Sequence, residues 1–323
     1  MESEDLAELV GMTPAQSDDS NRRREAALTD PLGQSLWGLK RVLENYIQGQ
    51  PPLPLELLLQ SAPGTLAQLG EQFQLSAFEG TILLLCLGLE LESNLRSLCA
   101  QAQGDGNKTY ATLGLTLSLF PAADWSVLSP QSPLHYWRLL HTDPGRLLTE
   151  APLTLDPRIL CYLLGEPAIA STLADLLTPL PPAIPPLAPT YQALMEQVAG
   201  TWSASTAATG FPLICLAAAD GTTAAHIATA ACNQLGLQLM ALPAAVLPTN
   251  PQDLSRLQRD WEREARISQS ALLLDCNIAH PGDPGRDAAI ALFLETLSTP
   301  VVVSSRERQP QVRRPLIKFN VSP

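Results

Sequence analysis

Two hydrophobic rhythms divide this chain. Up to about residue 177, apolar residues recur mainly at helical spacing. Leu32, Leu36, Leu39, Leu43, Tyr46 and Ile47 follow the Asp30–Pro31 pair, which predicts an amphipathic helix that stops near Gly49. Pro51, Pro52 and Pro54 break the pattern, and a helix over 66–73 follows. Ser76 and Glu79 form a capping-box pair. The helix they open, through Leu89, is apolar nearly all round and is expected at the centre of its domain. A further helix is predicted over 94–103. The stretch 110–120 alternates in a way that fits a strand or a helix equally well. His135 to Leu140 reads as a helix, with Tyr136 and Trp137 as core and rim. Residues 146–148 read as a short strand or turn. Asp156–Pro157 repeats the helix-start signal, and Gly165 stops that helix.

Six prolines between 178 and 189 mark a stiff linker. Beyond a helix over 190–199, strand-length apolar runs alternate with helices: strands at 212–217, 237–242, 271–275, 301–304 and 314–321, and helices at 222–235, 251–268 and 286–298. Near-continuous apolar strands separated by helices predict a parallel sheet covered on both faces. The expected organisation is a polar acidic tail over 1–28, a mostly α-helical domain over 29–177, a linker over 178–189 and an α/β domain over 190–323.

Charge narrows the function classes. Residues 1–200 carry 10 Lys+Arg against 22 Asp+Glu, whereas residues 201–323 carry 10 of each. An acidic first half argues against nucleic-acid binding, which needs cations to displace counterions. Arg22, Arg23 and Arg24 lie in the acidic tail and read as solvated. The six cysteines form no C-x-x-C pair and have no metal-ligand spacing with the four histidines, so no metal site is expected. Free buried thiols fit a reducing cytoplasm. No signal peptide is evident, and the longest apolar run, 82–91, is too short to span a bilayer.

The segment 213–226 has the strand–loop–helix frame of a phosphate-binding loop. Aligned on G-x-x-x-x-G-K-[ST], Ala218 stands at the first Gly, Thr223 at the second, Ala224 at the Lys and Ala225 at the Ser/Thr. The β/γ-phosphate lysine and the Mg²⁺ hydroxyl are both absent. Asp220, Gly221 and Thr222 complete the vestigial loop, whose remaining asset is a helix N-terminus. The alternative is the ordinary turn of a doubly wound domain. No rival catalytic constellation occurs.

Taken together, the second half resembles a AAA+ ATPase core with eroded motifs. Leu272–Leu273–Leu274–Asp275–Cys276 stands where that family has h-h-h-D-E. On this resemblance Asp275 matches the Mg²⁺-associated Asp, and Cys276 replaces the water-orienting Glu. Val301 to Ser305 is similar to the strand that runs into the sensor position, at Ser304. Asp275 also fits a strand-end turn residue with no metal. Phe73 to Glu79 with the Leu-rich run after it, and Leu155 to Gly165, are similar to the front of large AAA+ proteins of extracellular contractile injection systems. In that family a helical region with winged-helix character precedes an inactive AAA-like domain, and an intact ATPase domain follows. The resemblance implies a non-catalytic scaffold or adaptor with no catalytic residues and with ATP and Mg²⁺ binding weak or absent. Its implied partners are proteins: an intact AAA+ domain, injection-particle components, or further copies of itself. Neither nucleic acid nor membrane is expected. The alternative is a subunit that acts in trans, lending Arg306, Arg308, Arg313 or Arg314 to a neighbour's active site.

Overall fold

A computed structural model describes residues 31–60, 62–120, 124–143, 145–181, 187–205, 210–218, 220–277, 283–306 and 312–321. The expected tail over 1–28 lies outside the described residues, as does Arg308. The chain divides into two compact units between Pro167 and Ala168.

In the first unit, α1 (Pro31–Ile47) buries Leu36, Leu39, Val42 and Leu43 along one stripe. The short α2 (Leu55–Gln60) and α3 (Gly64–Phe73) follow. Then comes α4 (Ala77–Leu91), buried from Phe78 to Leu89. Its start is a full capping box: Glu79 N–H donates to the Ser76 hydroxyl, and Ser76 N–H donates to the Glu79 carboxylate. Gly88 lets neighbours approach α4 closely. A Cβ there would come within 2.9 Å of Leu95 and 3.1 Å of Leu36 and Leu39. Leu95 belongs to α5 (Ser93–Ala102).

The ambiguous stretch 110–120 resolves as helix α6 (Leu113–Leu119), capped by the Thr112 hydroxyl. The cap residue itself makes an isolated antiparallel bridge to Pro152. After a 3₁₀ turn (Trp125–Leu128) comes α7 (Pro133–Tyr136), which is only one turn long. Arg138, in the left-handed region at φ 53°, follows it. Strand β1 (Leu140–Thr142) then pairs antiparallel with β2 (Leu153–Leu155). The expected helix over 135–140 therefore starts earlier and gives way to a strand. Residues 146–148 form the turn of the hairpin. Asp156 accepts from the Arg158 and Ile159 N–H groups and caps α8 (Pro157–Leu163).

The second unit is a six-stranded sheet between two helical layers. Helix α9 (Ser171–Ala174) leads into β3 (Thr178–Pro179). Then follow α10 (Pro189–Ser203), β4 (Leu213–Ala218), α11 (Gly221–Gln234) and β5 (Gln238–Pro243). The last elements are α12 (Pro251–Ile267), β6 (Ser270–Asp275), α13 (Pro284–Thr296), β7 (Val301–Ser304) and β8 (Leu316–Val321). The strand order is β3-β5-β6-β7-β4-β8, parallel except for β3. This is a helical domain followed by an α/β P-loop-like, mostly parallel-sheet domain. Alternate strand residues feed opposite cores, which is why the strands read as unbroken apolar runs. Leu272, Leu274, Val301 and Val303 pack with α12 and α13. Ala271, Leu273, Val302 and Ile214 pack with α10 and α11.

The α/β unit recruits residues that precede the proline-rich stretch. Leu173 and Leu177 are buried in its core, and Thr178–Pro179, expected at the start of the linker, is an edge strand on β5. Two buried carboxylates of α12 hold this strap. Glu264 accepts the Ala170 N–H at 3.3 Å, and Asp260 accepts the Thr172 hydroxyl at 3.3 Å. A third, Glu262, accepts the Thr299 N–H at 3.0 Å just before β7.

Two substitutions probe the two cores. Gly88→Ala forces Leu36, Leu39 and Leu95 to shift and is expected to cost about 1–3 kcal/mol by overpacking, read from urea unfolding. Leu173→Ala empties a strap position and is expected to cost about 2–5 kcal/mol in the same measurement. A cost below about 0.5 kcal/mol, the range of ordinary surface changes, would show that the strap is not integral to that core.

Candidate functional site

The parallel strands end together on one edge of the sheet. Asp275 of β6 is in register with Ser304 of β7, and Ser304 with Leu216 of β4. Ala218, Asp275, Cys276 and Ser304 are therefore gathered there, as the sequence frame implies. The connections after β4 and β7 leave in opposite directions across the sheet, so this edge is a topological switch point, the usual ligand crevice of such sheets.

The occupants of the crevice are the chain's own side chains. Asp220 is the N-cap of α11. Its carboxylate accepts the Thr222 N–H at 3.1 Å, the Thr223 hydroxyl at 3.3 Å and the Thr222 hydroxyl. Bonding from the Thr222 side chain, then its backbone N–H, holds this exposed carboxyl below the usual carboxylate range, so it is ionised at neutral pH. A negative charge thus already sits on the positive end of the helix, where a phosphate would bind. Ala224, at the lysine position, is fully buried, and Ala225 packs beside the same core.

Asp275 is engaged as well. One of its oxygens accepts the Asn277 backbone N–H at 3.0 Å and the Asn277 side-chain amide at 2.9 Å. The same amide donates to the Ser304 hydroxyl at 2.9 Å. Its nitrogen lies 3.4 Å from where a Cβ on Gly221 would stand. Asn277 therefore bridges the Mg²⁺-associated and sensor positions and closes the gap to the loop. The sequence reading missed it; the only available signal was a turn-forming Asn two residues after a strand-end Asp.

Burial, then the nearby Asp275 carboxylate, pushes the Cys276 thiol up to about 12. A thiol neutral at pH 7 cannot replace a carboxylate that orients attacking water.

The four arginines do not form one cluster. Arg306 is exposed two residues beyond Ser304, on the crevice edge. Arg313 and Arg314 precede β8, which runs parallel to β4. They lie at the opposite edge, about 17–20 Å away across a six-residue strand. Arg314 is moreover committed to structure. It donates to the Phe211 carbonyl at 3.0 Å, to the Leu294 carbonyl at 3.3 Å and to the Leu297 carbonyl. This corrects its expected place among arginines donated at the crevice: its guanidinium satisfies carbonyls at the end of α13.

Three outcomes check this geometry. Arg314→Ala leaves those carbonyls without their donor and is expected to destabilise the fold by about 1–3 kcal/mol in urea unfolding. With a thiol at about 12, only about 10⁻⁴ of Cys276 is thiolate at pH 8; mass-spectrometric mapping of iodoacetamide labelling should find it among the slowest sites. Millimolar Mg²⁺-ATP is expected to raise the melting temperature negligibly, since a ligand far below its Kd stabilises by less than about 0.1 kcal/mol. A shift of several degrees would show that phosphate displaces the Asp220 cap.

Comparison with known proteins places the first unit in context. The profile of a family described as "Winged helix domain, variant" matches residues 60–177. No curated protein matches the chain. Among solved structures, one titled "Structure of Rhizobiales Trip13" aligns at 18% identity with a TM-score of 0.26. That alignment covers 41% of this chain and 60% of the other. Residues 60–177 are thus similar to a winged helix domain, with the β1–β2 hairpin at the place of the wing.

Proposed function

We propose that this chain is a non-catalytic scaffold, in which a winged helix region recognises a protein partner and a degenerate AAA-like domain helps to assemble or position an ATPase. The observation that carries the reading is the Asp220 carboxylate on the N-terminus of α11, opposite Ala224 and Ala225. Phosphoryl transfer rests on charge stabilisation and water positioning. Here the phosphate site holds a negative charge, the lysine and hydroxyl are missing, and the thiol of Cys276 is neutral.

Protein recognition is favoured over nucleic acid by the winged helix region itself. In helix-turn-helix readers the second helix lies in the major groove. The helix at that place, α7, is one turn long. Trp137 beside it packs on Phe73, with ring centroids 5.5 Å apart. Residues 31–167 carry 7 Lys+Arg against 12 Asp+Glu, a poor surface for phosphate contacts. No helix among the described residues is long and apolar enough to cross a membrane. The partner class proposed is a contractile injection assembly in the cytoplasm, with an intact AAA+ domain as the immediate neighbour.

A second reading rests on Arg306, exposed at the crevice edge: it would enter a neighbour's active site, where an arginine supplied in trans is worth about 10³–10⁵ in rate. Arg313 and Arg314 have no place in it, because they lie at the other edge of the sheet.

Steady-state ATP hydrolysis by the purified chain decides the first reading. The expected rate is far below about 1 s⁻¹, an ordinary NTPase turnover; a rate at or above it would overturn the proposal. Mixing the chain with an intact AAA+ partner decides the second. The expectation is that Arg306→Ala leaves the partner's rate unchanged, and a drop of tenfold or more would establish donation.

A further inference from the structure

Two surface features of complementary shape lie outside the crevice. The first is the turn of the β1–β2 hairpin. Leu147 and Leu148 project there, 70% and 42% exposed. The turn is held by its own bonds: Glu150 and Ala151 N–H both donate to the Leu147 carbonyl, at 2.9 and 2.8 Å, and Gly114 N–H donates to the Thr149 carbonyl at 2.8 Å. Arg146 is tied to Asp143 at 3.7 Å and to the Tyr110 hydroxyl at 3.1 Å. Two leucines on a braced turn form a preorganised apolar knob, flanked by the exposed carboxylates of Asp143 and Glu150.

The second feature is a cavity of about 580 Å³ in the α/β unit, at the edge of the sheet opposite the crevice. Its apolar wall is Ala204, Phe211, Pro212, Leu297, Pro315 and Ile317. Exposed cations stand beside it: Arg313, next to the lining residue Arg314, and Lys318, next to Ile317. The one acidic lining residue, Glu295, accepts the Arg313 backbone N–H at 2.9 Å.

We propose that the hairpin of one copy of this chain docks into the cavity of a second copy, with Leu147 and Leu148 in the apolar wall and Asp143 and Glu150 facing Arg313 and Lys318. Shape and charge both select this occupant: an apolar knob rimmed by carboxylates meets an apolar hollow rimmed by cations. The two surfaces differ, so the contact is head-to-tail, and each bound copy keeps a free hairpin or a free cavity. Assembly then grows into a ring or a filament. This inference does not rest on the scaffold reading above.

The test is the mass of the full chain in solution, by sedimentation and light scattering. Concentrations from about 1 to about 300 µM span the affinities of modest interfaces. The mass is expected to rise with concentration above the 34.7 kDa monomer. Leu147→Ser combined with Leu148→Ser removes the knob, and Ala204→Trp fills the cavity. Each variant alone is expected to stay monomeric, a loss of about 100-fold or more in affinity for two buried leucines. An equimolar mixture of the two variants is expected to form dimers and stop there, because it holds one competent cavity and one competent knob. Pairing in the mixture also shows that both variants are folded. A wild-type chain that stays monomeric throughout overturns the proposal. So does association that survives loss of the leucines, or a mixture that stays monomeric although each variant unfolds at the wild-type midpoint.

Discussion

Asp220 sits where the backbone of the α/β unit concentrates positive potential. A helix entered from a parallel strand points its free N–H groups at the switch-point crevice, and that geometry favours an anion whatever its source. Here the anion is the chain's own carboxylate, one residue before the helix, held by Thr222 and Thr223. The other features of the crevice agree with that choice. With no phosphate to neutralise, a lysine at position 224 would be a buried, uncompensated cation, and the position is a fully buried alanine. With no metal to hold, Asp275 is free to accept from Asn277, and the Asn277 amide spans to Ser304. Loop, strand end and sensor strand are therefore joined by side-chain bonds of the protein itself.

The strands and their order of appearance were legible because burial on both faces imposes a continuous apolar run, and Leu272–Leu273–Leu274 or Val301–Val302–Val303 has few other readings. The capping box at Ser76 and the Asp–Pro starts were legible because a cap is a local device. The strap was not. Ala170, Leu173 and Leu177 are spaced irregularly among turn residues, and what recruits them is a pair of carboxylates some 90 residues away on α12. The β1–β2 hairpin was missed for a similar reason. Three-residue strands are too short to show alternation, and their pairing is long-range.

The arginines show how closeness along the chain misleads in a parallel sheet. Arg306 and Arg314 are eight positions apart in sequence, yet one follows β7 at its C-terminal end and the other precedes β8 at its N-terminal end. Between two neighbouring parallel strands the chain must return the full length of the sheet. Residues that bracket such a crossover are held at opposite edges however near they lie in sequence. A basic run there is two separate surfaces. On one, Arg314 is drawn inward to carbonyls at the end of α13, and burial lowers the pKa of its guanidinium.

The same economy of charge governs α12. Asp260, Glu262 and Glu264 are all buried, which ordinarily costs several kcal/mol for a carboxylate without partners. Each instead meets donors from a segment with no regular element of its own: Thr172 and Ala170 in the strap, Thr299 before β7. Buried carboxylates on a helix thus take the place of strand pairing where the chain is too irregular to pair. Two ends of the unit, the entry before β3 and the entry into β7, are fixed to one rigid element. That arrangement transmits position through the domain without any bound nucleotide, which is what a domain that has lost its phosphate chemistry still needs in order to place its neighbours.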